Sequence, residues 1–198
     1  LEGLGVSLSS LGAEFPGDGL ADEQLIEQRL ARLRETLDLC RGLHVPVATV
    51  TLAGTGGEGR DALARQALAA AAELSDRCGV RLAVRSPEGT DALAAAVRAL
   101  GCPTLGVALD SSSLSPPAQG VLPQAGAVIL RDVRRAGGRV EETDFGTGDV
   151  DFAGLLGALA AGDYRGVLIV RRDGAGAAVD ALRRGREYIA GILAGFPS

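Results

Sequence analysis

Four apolar runs in this chain close on a charged residue. Arg81–Arg85 ends on Arg85, Leu105–Asp110 on Asp110, Ala127–Arg131 on Arg131 and Val167–Arg171 on Arg171. A guanidinium is a planar fork of N–H donors that suits a phosphate or a carboxylate. Glu88 and Asp173, in the loops after the first and last of these runs, are candidate acid/base carboxylates. Other chemistries are excluded by residue type. All 20 basic residues are Arg, so no Lys amine can form a Schiff base. The single histidine, His44, cannot build a multi-His metal site within one chain, and its place before Val45-Pro46 reads as structural. Ser111-Ser112-Ser113 follows a strand end, yet no His base can be argued for a serine nucleophile. Gly54-Thr55-Gly56-Gly57-Glu58-Gly59 resembles a phosphate loop but lacks the GK[ST] ending, and it reads as an ordinary strand-to-helix loop with backbone N–H groups at most.

The elements that carry these residues recur as a unit of strand, polar loop and amphipathic helix. Strands are expected at Gly5–Leu8, Val47–Leu52, Arg81–Arg85, Leu105–Asp110, Ala127–Arg131 and Val167–Arg171. Leu25, Ile26, Leu30, Leu33, Leu37 and Cys40 mark one face of a first helix, and Leu63, Ala67, Leu68, Ala71, Leu74 and Cys78 the face of a second, which Gly79 ends. Thr90 is expected to cap a third helix that stops at Gly101, and a last helix runs from about Ala177 to Leu193. In Leu105–Asp110 the large side chains alternate with small ones. Leu105, Val107 and Leu109 should meet helices, while Thr104, Gly106, Ala108 and Asp110 face the other way. The Pro/Ser-rich stretch from Ser111 to Pro123 admits only a weak or broken helix.

Strands alternating with helices imply parallel strands and right-handed crossovers. An open doubly wound sheet is the competing architecture to a closed barrel. The 198 residues are 46% hydrophobic, enough for one domain's core. A net charge of −5 argues against a nucleic-acid partner, and no apolar run approaches the roughly 20 residues of a membrane span. Cys40, Cys78 and Cys102 are odd in number and widely spaced, as expected of reduced thiols in a cytoplasmic protein. The chain has no Met, even at position 1, so it reads as N-terminally incomplete.

The run Phe145-Gly146-Thr147-Gly148-Asp149-Val150-Asp151-Phe152, with Leu155, Leu156 and Leu159 behind it and Gly162-Asp163-Tyr164-Arg165-Gly166-Val167-Leu168-Ile169-Val170-Arg171 after it, organises the rest. Asp151 should cap a helix, Gly162 should leave it at positive φ, and Val167–Val170 should form a strand covered on both faces. This order closely resembles the last part of the sugar phosphate isomerase/epimerase family, the xylose isomerase-like barrels. The resemblance implies an α/β fold of the (β/α)8 TIM-barrel type over residues 1–198 as a single domain, lacking the first two βα units, with six parallel strands present. A complete barrel of this kind takes about 250 residues.

The resemblance also implies a site. The family holds a divalent metal with a Glu, an Asp, a His and a Glu, and these positions fall on Arg85, Asp110, Ile129 and Arg171. Ser113 stands where a nearby His is usual, and Arg131-Asp132 keeps the charges of the family's Lys-Asp pair. One ligand of four remains, so no metal or other cofactor is expected. In the functional reading Arg85, Arg131 and Arg171 converge around Asp110, with Ser113, on a sugar or anionic ligand bound without metal catalysis. In the competing reading the same charges form an internal salt-bridge network in a scaffold barrel. A third reading is an active isomerase or epimerase using Asp110, Glu88 or Asp173, with arginine as electrophile. Glu141, Glu142 and Asp144 read as a solvated lip. A small-molecule partner is expected, with no nucleic acid and no membrane, and open strand edges invite a homo-oligomer or a covering partner.

Overall fold

The computed structural model describes residues 7–17, 19–53, 58–87, 89–114, 120–173 and 179–196, with 58–60 as backbone only. Six parallel strands stand in the order β1 (Ser10–Ala13), β2 (Val47–Thr51), β3 (Arg81–Arg85), β4 (Leu105–Asp110), β5 (Ala125–Leu130) and β8 (Val167–Val170). The interrupting pair, β6 (Val133–Ala136) and β7 (Arg139–Glu142), forms an antiparallel hairpin of its own. The helices are α1 (Ile26–Gly42), α2 (Glu58–Cys78), α3 (Thr90–Leu100), α4 (Phe152–Ala161) and α5 (Val179–Leu193). Among the described residues no helix is long and apolar enough to cross a membrane. The chain divides into two compact units, residues 1–108 with 124–127 and residues 109–123 with 128–198.

In the first unit, β1, β2, β3 and the start of β4 pair in parallel, with Ser10 beside Val47, Val47 beside Arg81 and Leu82 beside Leu105. Leu33, Leu37 and Cys40 of α1 and Ala67, Leu68, Ala71 and Leu74 of α2 are buried, as their helical spacing predicts. Leu25 is not, being 41% exposed just before the helix begins. The small-residue face of β4 is real. A Cβ on Gly106 would stand 2.7 Å from Gly126 Cα, and one on Gly126 would stand 3.1 Å from Ala83 Cβ. The three strands therefore approach through glycine and alanine, which larger side chains would push apart.

An unforeseen charge lies in this unit. Arg29 faces inward from α1 with 6% of its surface exposed. Its guanidinium donates to the carbonyls of Gly19 and, at 3.2 Å, Pro16, pairs with Asp22 at 2.9 Å and lies 5.7 Å over the Phe15 ring. It pins the segment that follows β1 onto the helix.

The first strand corrects the sequence expectation. Among the described residues it is Ser10–Ala13; of the expected Gly5–Leu8, Ser7 and Leu8 are outside any strand and Gly5-Val6 lie outside the described residues. Thr90 is the first residue of α3 rather than its cap. The cap position is Gly89, which has no side chain to bond the free N–H groups. Gly79 and Gly101 end their helices with φ of 65° and 61°, as expected.

In the second unit Asp151 caps α4, its carboxylate accepting from Gly154 N at 2.8 Å. Phe152, Leu156 and Leu159 are the buried stripe of that helix. The positive φ expected at Gly162 belongs instead to the next residue. Gly162 has φ −87° and Asp163 has φ 51°, a conformation that a short acidic side chain tolerates. Strand β8 is half-buried along its length, not covered on both faces, and it stands last in the sheet order. The β6–β7 hairpin turns on Gly137 and Gly138, with φ 57° and 77°, the two positive values that a type I′ turn requires.

Candidate functional site

Three strand ends in the second unit bring together the residues that carry charge. Asp110 is the last residue of β4, Arg131 follows β5 and Arg171 follows β8. Their backbones are locked before their side chains meet. Ser111 N donates to Ile129 O at 2.9 Å, Ser111 Oγ donates to Arg131 O at 2.7 Å and accepts from Arg131 N at 2.8 Å. Arg171 N donates to Leu130 O at 3.0 Å. The buried Ser111 thus staples the end of β4 to the residue after β5, and the ladder sets Arg171 beside it.

The guanidinium of Arg131 uses two edges. Nη2 donates to Asp110 Oδ2 at 2.6 Å and Nε to Asp110 Oδ1 at 3.3 Å, a bidentate pair with Asp110 only 5% exposed. Nη1 donates to Asp173 Oδ2 at 3.0 Å. The other oxygen of Asp173 accepts from Arg171 Nε at 2.7 Å. Ser112 closes the inner side: its Oγ donates to Asp110 Oδ1 at 2.6 Å and accepts from Arg131 Nη2 at 3.0 Å, while its backbone N–H also reaches Oδ1 at 3.0 Å. Asp173 is held from behind, its backbone N donating to Glu142 Oε2 at 2.8 Å. Burial alone would lower the pKa of Arg131. The hydrogen bond and charge of Asp110, with the charges of Asp173 and Glu142, outweigh it and raise the value above the ordinary arginine range.

The residue after Arg131 faces the other way, as successive residues of an extended chain do. Asp132 is 1% exposed and accepts from Gly146 N at 2.8 Å, Gly148 N at 3.0 Å and Val150 N at 3.4 Å. The charges kept at Arg131-Asp132 therefore serve two neighbours. Arg131 belongs to the strand-end cluster, and Asp132 holds the Gly-rich loop in place.

Of the expected site residues, Asp110, Arg131 and Arg171 are brought into one cluster. Ser113 is adjacent but exposed, and its Oγ donates to the Asp110 backbone carbonyl at 3.0 Å. Arg85 lies in the first unit, where it donates to Thr51 Oγ1 at 3.2 Å. Glu88 lies outside the described residues. Ile129 is buried inside β5 and offers no donor atom to a ligand. His44 is exposed in the turn after α1, with φ 56°. Of the expected solvated lip, Glu142 is half-buried and bonded to Asp173 N, and Asp144 pairs with Arg172 and, at 3.6 Å, with Arg184. Ser111, Ser112 and Glu142 are the members that sequence reading missed. The Ser triplet after a strand end was a visible signal, but as a backbone staple rather than a nucleophile.

The described side chains around Asp110 are guanidinium groups and hydroxyls. Among the described residues no three His, Cys, Asp or Glu side chains gather to hold a metal ion. Both oxygens of Asp110 accept from the Arg131 guanidinium, and Arg171 brings a second positive charge to the cluster. In the first unit, a 230 Å³ cleft at the ends of β2 and β3 is walled by Leu52, Leu68, Leu93 and Ser86 with Asp61 and Arg65 at its edge, a mostly hydrocarbon surface.

The model of a family described as a xylose isomerase-like TIM barrel matches residues 1–191. Among solved structures, a xylose isomerase domain protein from Planctomyces limnophilus superposes with TM-score 0.82 at 18% identity, covering 96% of this chain and 78% of that one. A xylose isomerase-like TIM barrel protein from Mycobacterium smegmatis, solved in complex with magnesium, gives TM-score 0.80 at 16% identity over 98% and 75% of the two chains. A 3-keto-D-glucoside 4-epimerase from E. coli gives 0.73 at 16% identity over 98% and 81%. At these identities the likeness is one of fold. No curated protein matches the sequence closely.

Proposed function

The chain belongs to the xylose isomerase-like TIM barrel family, and from that premise we propose that it binds a small sugar-derived anion, through a carboxylate or phosphate group, without metal catalysis. The observation that carries this reading is that Arg131 Nη1 and Arg171 Nε donate to the two oxygens of a single carboxylate. Two guanidinium groups aimed at one acceptor are the arrangement that a phosphate or carboxylate needs. The sugar class comes from the family and from neighbours named as epimerases. The absence of a transmembrane-capable helix among the described residues and three unpaired cysteines support a cytoplasmic setting.

Against catalysis by Asp110 stands its own bonding. Both of its oxygens already accept hydrogen bonds, from a bidentate guanidinium and a serine hydroxyl, so a substrate proton would have to compete with these donors for them. The scaffold reading has a specific observation too, since Arg131 and Arg171 both find carboxylates within the chain. Solvent exposure separates the two readings. Asp110 is 5% exposed and fixed, whereas Asp173 is 44% exposed, and an exposed pair contributes only about 0–1 kcal/mol, little enough for a ligand to displace.

The test is a thermal-shift series with inorganic phosphate, gluconate and a hexose phosphate against manganese and zinc. A midpoint that rises with the anions and not with the metals supports the proposal. A rise with manganese or zinc alone overturns it. No response to any of them favours the self-filled scaffold.

A further inference from the structure

We propose that Asp173 is a built-in occupant of the anion site, a carboxylate of the chain itself that an incoming ligand must displace. This rests on the functional reading above and names the regulation of the same site. The geometry is that of a bound ligand. Asp173 gives one oxygen to each arginine, Oδ1 to Arg171 Nε at 2.7 Å and Oδ2 to Arg131 Nη1 at 3.0 Å, as a free carboxylate or two oxygens of a phosphate would. Among the described residues Asp173 is the one carboxylate paired with Arg171. Its neighbour Asp110 takes the opposite edge of Arg131 and is buried, so the two carboxylates on that guanidinium are not equivalent.

Charge makes occupation exclusive. With Asp173 in place, its carboxylate fills the acceptor position on both Arg131 Nη1 and Arg171 Nε, and a second anion would meet its charge there. With Asp173 swung away, Arg131 Nη1 and Arg171 Nε are the donors that an incoming anion would take over. Asp173 stands at the surface, 44% exposed. Asp173 N bonds Glu142 Oε2 at 2.8 Å, and Arg172 pairs with Asp144. Rotation of the Asp173 side chain alone vacates the position, leaving the backbone bond to Glu142 intact. A tethered group competes at the effective concentration of a short linker, on the order of millimolar, so ligands bind more weakly than the bare site would allow.

The experiment is titration calorimetry of wild type, Asp173→Ala and Arg171→Ala with inorganic phosphate and, separately, with gluconate. The proposal expects Asp173→Ala to bind at least one of the two about fivefold more tightly than wild type, the release of a competitor that an exposed ion pair represents. Arg171→Ala, a substitution at a third-exposed side chain, should lose that binding while keeping the wild-type unfolding midpoint. Equal affinity in wild type and Asp173→Ala, with loss in Arg171→Ala, overturns the occupant role but leaves the anion site standing. Weaker binding in Asp173→Ala overturns it as well and makes Asp173 a ligand contact. Binding by none of the three proteins overturns both this inference and the proposed function.

Discussion

A Cβ on Gly148 would stand 2.1 Å from Oδ1 of Asp132, the carboxylate to which the same glycine donates its backbone N–H at 3.0 Å. The glycine of this loop is there because a buried charge occupies the space of its side chain. Three N–H groups converge on Asp132, and a carboxylate so bonded is stable without a cation beside it. Gly148→Ala must push either the loop or the carboxylate aside. We expect it to destabilise the protein by about 2–4 kcal/mol, and Asp132→Ala, which orphans the three donors, by a similar amount. Urea unfolding measures both. A Gly148→Ala loss below about 0.5 kcal/mol would show that the loop adjusts freely and that the close approach is not a constraint.

Arg29 gives a second stability prediction. Its removal leaves Asp22 without its ion-pair partner and the Gly19 and Pro16 carbonyls without their donor. Arg29→Ala is expected to cost about 3 kcal/mol, and Arg29→Lys to recover only part of that loss, because an ammonium cannot span both carbonyls and the carboxylate in the plane of a fork. The exposed pair Arg32–Glu35 on the same helix is the control. Its side chains are 73% and 67% exposed, and Glu35→Ala should change stability by less than about 0.5 kcal/mol. Equal effects at the two positions would mean that Arg29 is not a clamp.

What could be read beforehand was what local chemistry decides. Asp151 before an apolar helix is a cap wherever that helix packs, and Gly79 and Gly101 end their helices because no other residue takes that backbone turn as cheaply. Gly106 showed itself as a small residue among large ones, though the backbone of Gly126 that it meets lies 20 residues on. Arg29 was invisible because a charge on an apolar face looks like a fault in the pattern until its carbonyl partners are in place. The β6–β7 hairpin was missed for the opposite reason. Its strands are charged and exposed, so they show no alternation, and only the Gly137-Gly138 pair signalled the turn. At the site, the resemblance pointed to Asp110, Arg131 and Arg171. That Asp173 would lie between the two arginines follows from the spacing of β5 and β8, which no residue type encodes.

The two carboxylates on Arg131 should behave differently in solution. Asp110→Asn strands a mostly buried guanidinium without its bidentate partner, and about 2–4 kcal/mol of stability should go with it. Asp173→Asn breaks a pair that water already reaches, with an expected loss under about 1 kcal/mol. Salt should separate them in the same direction. Raising ionic strength from 0.05 to about 0.5 M should shrink the Asp173 effect through screening and leave most of the Asp110 effect. Two substitutions of equal cost, both erased by salt, would mean that the Asp110–Arg131 pair is also solvated and that the exposure argument for ligand exchange fails.

Cys40 offers a test that is independent of the ligand. It is fully buried on α1, and burial raises the pKa of its thiol above the ordinary range, because desolvation penalises the charged thiolate. The folded state therefore favours the protonated form. The stability linked to this group is complete below the unfolded thiol value of about 8.5 and is lost as pH rises through the higher folded value, since the unfolded chain ionises first. In native protein at pH 8, a thiol reagent should label Cys78 and Cys102, which are partly exposed, before Cys40. Urea should make all three react alike, and Cys40→Ala should flatten the fall in stability that sets in above about pH 8.5. Labelling of Cys40 at the same rate as the other two in native protein would show that α1 opens locally on the timescale of the reaction, and the Arg29 clamp would then be weaker than its contacts indicate.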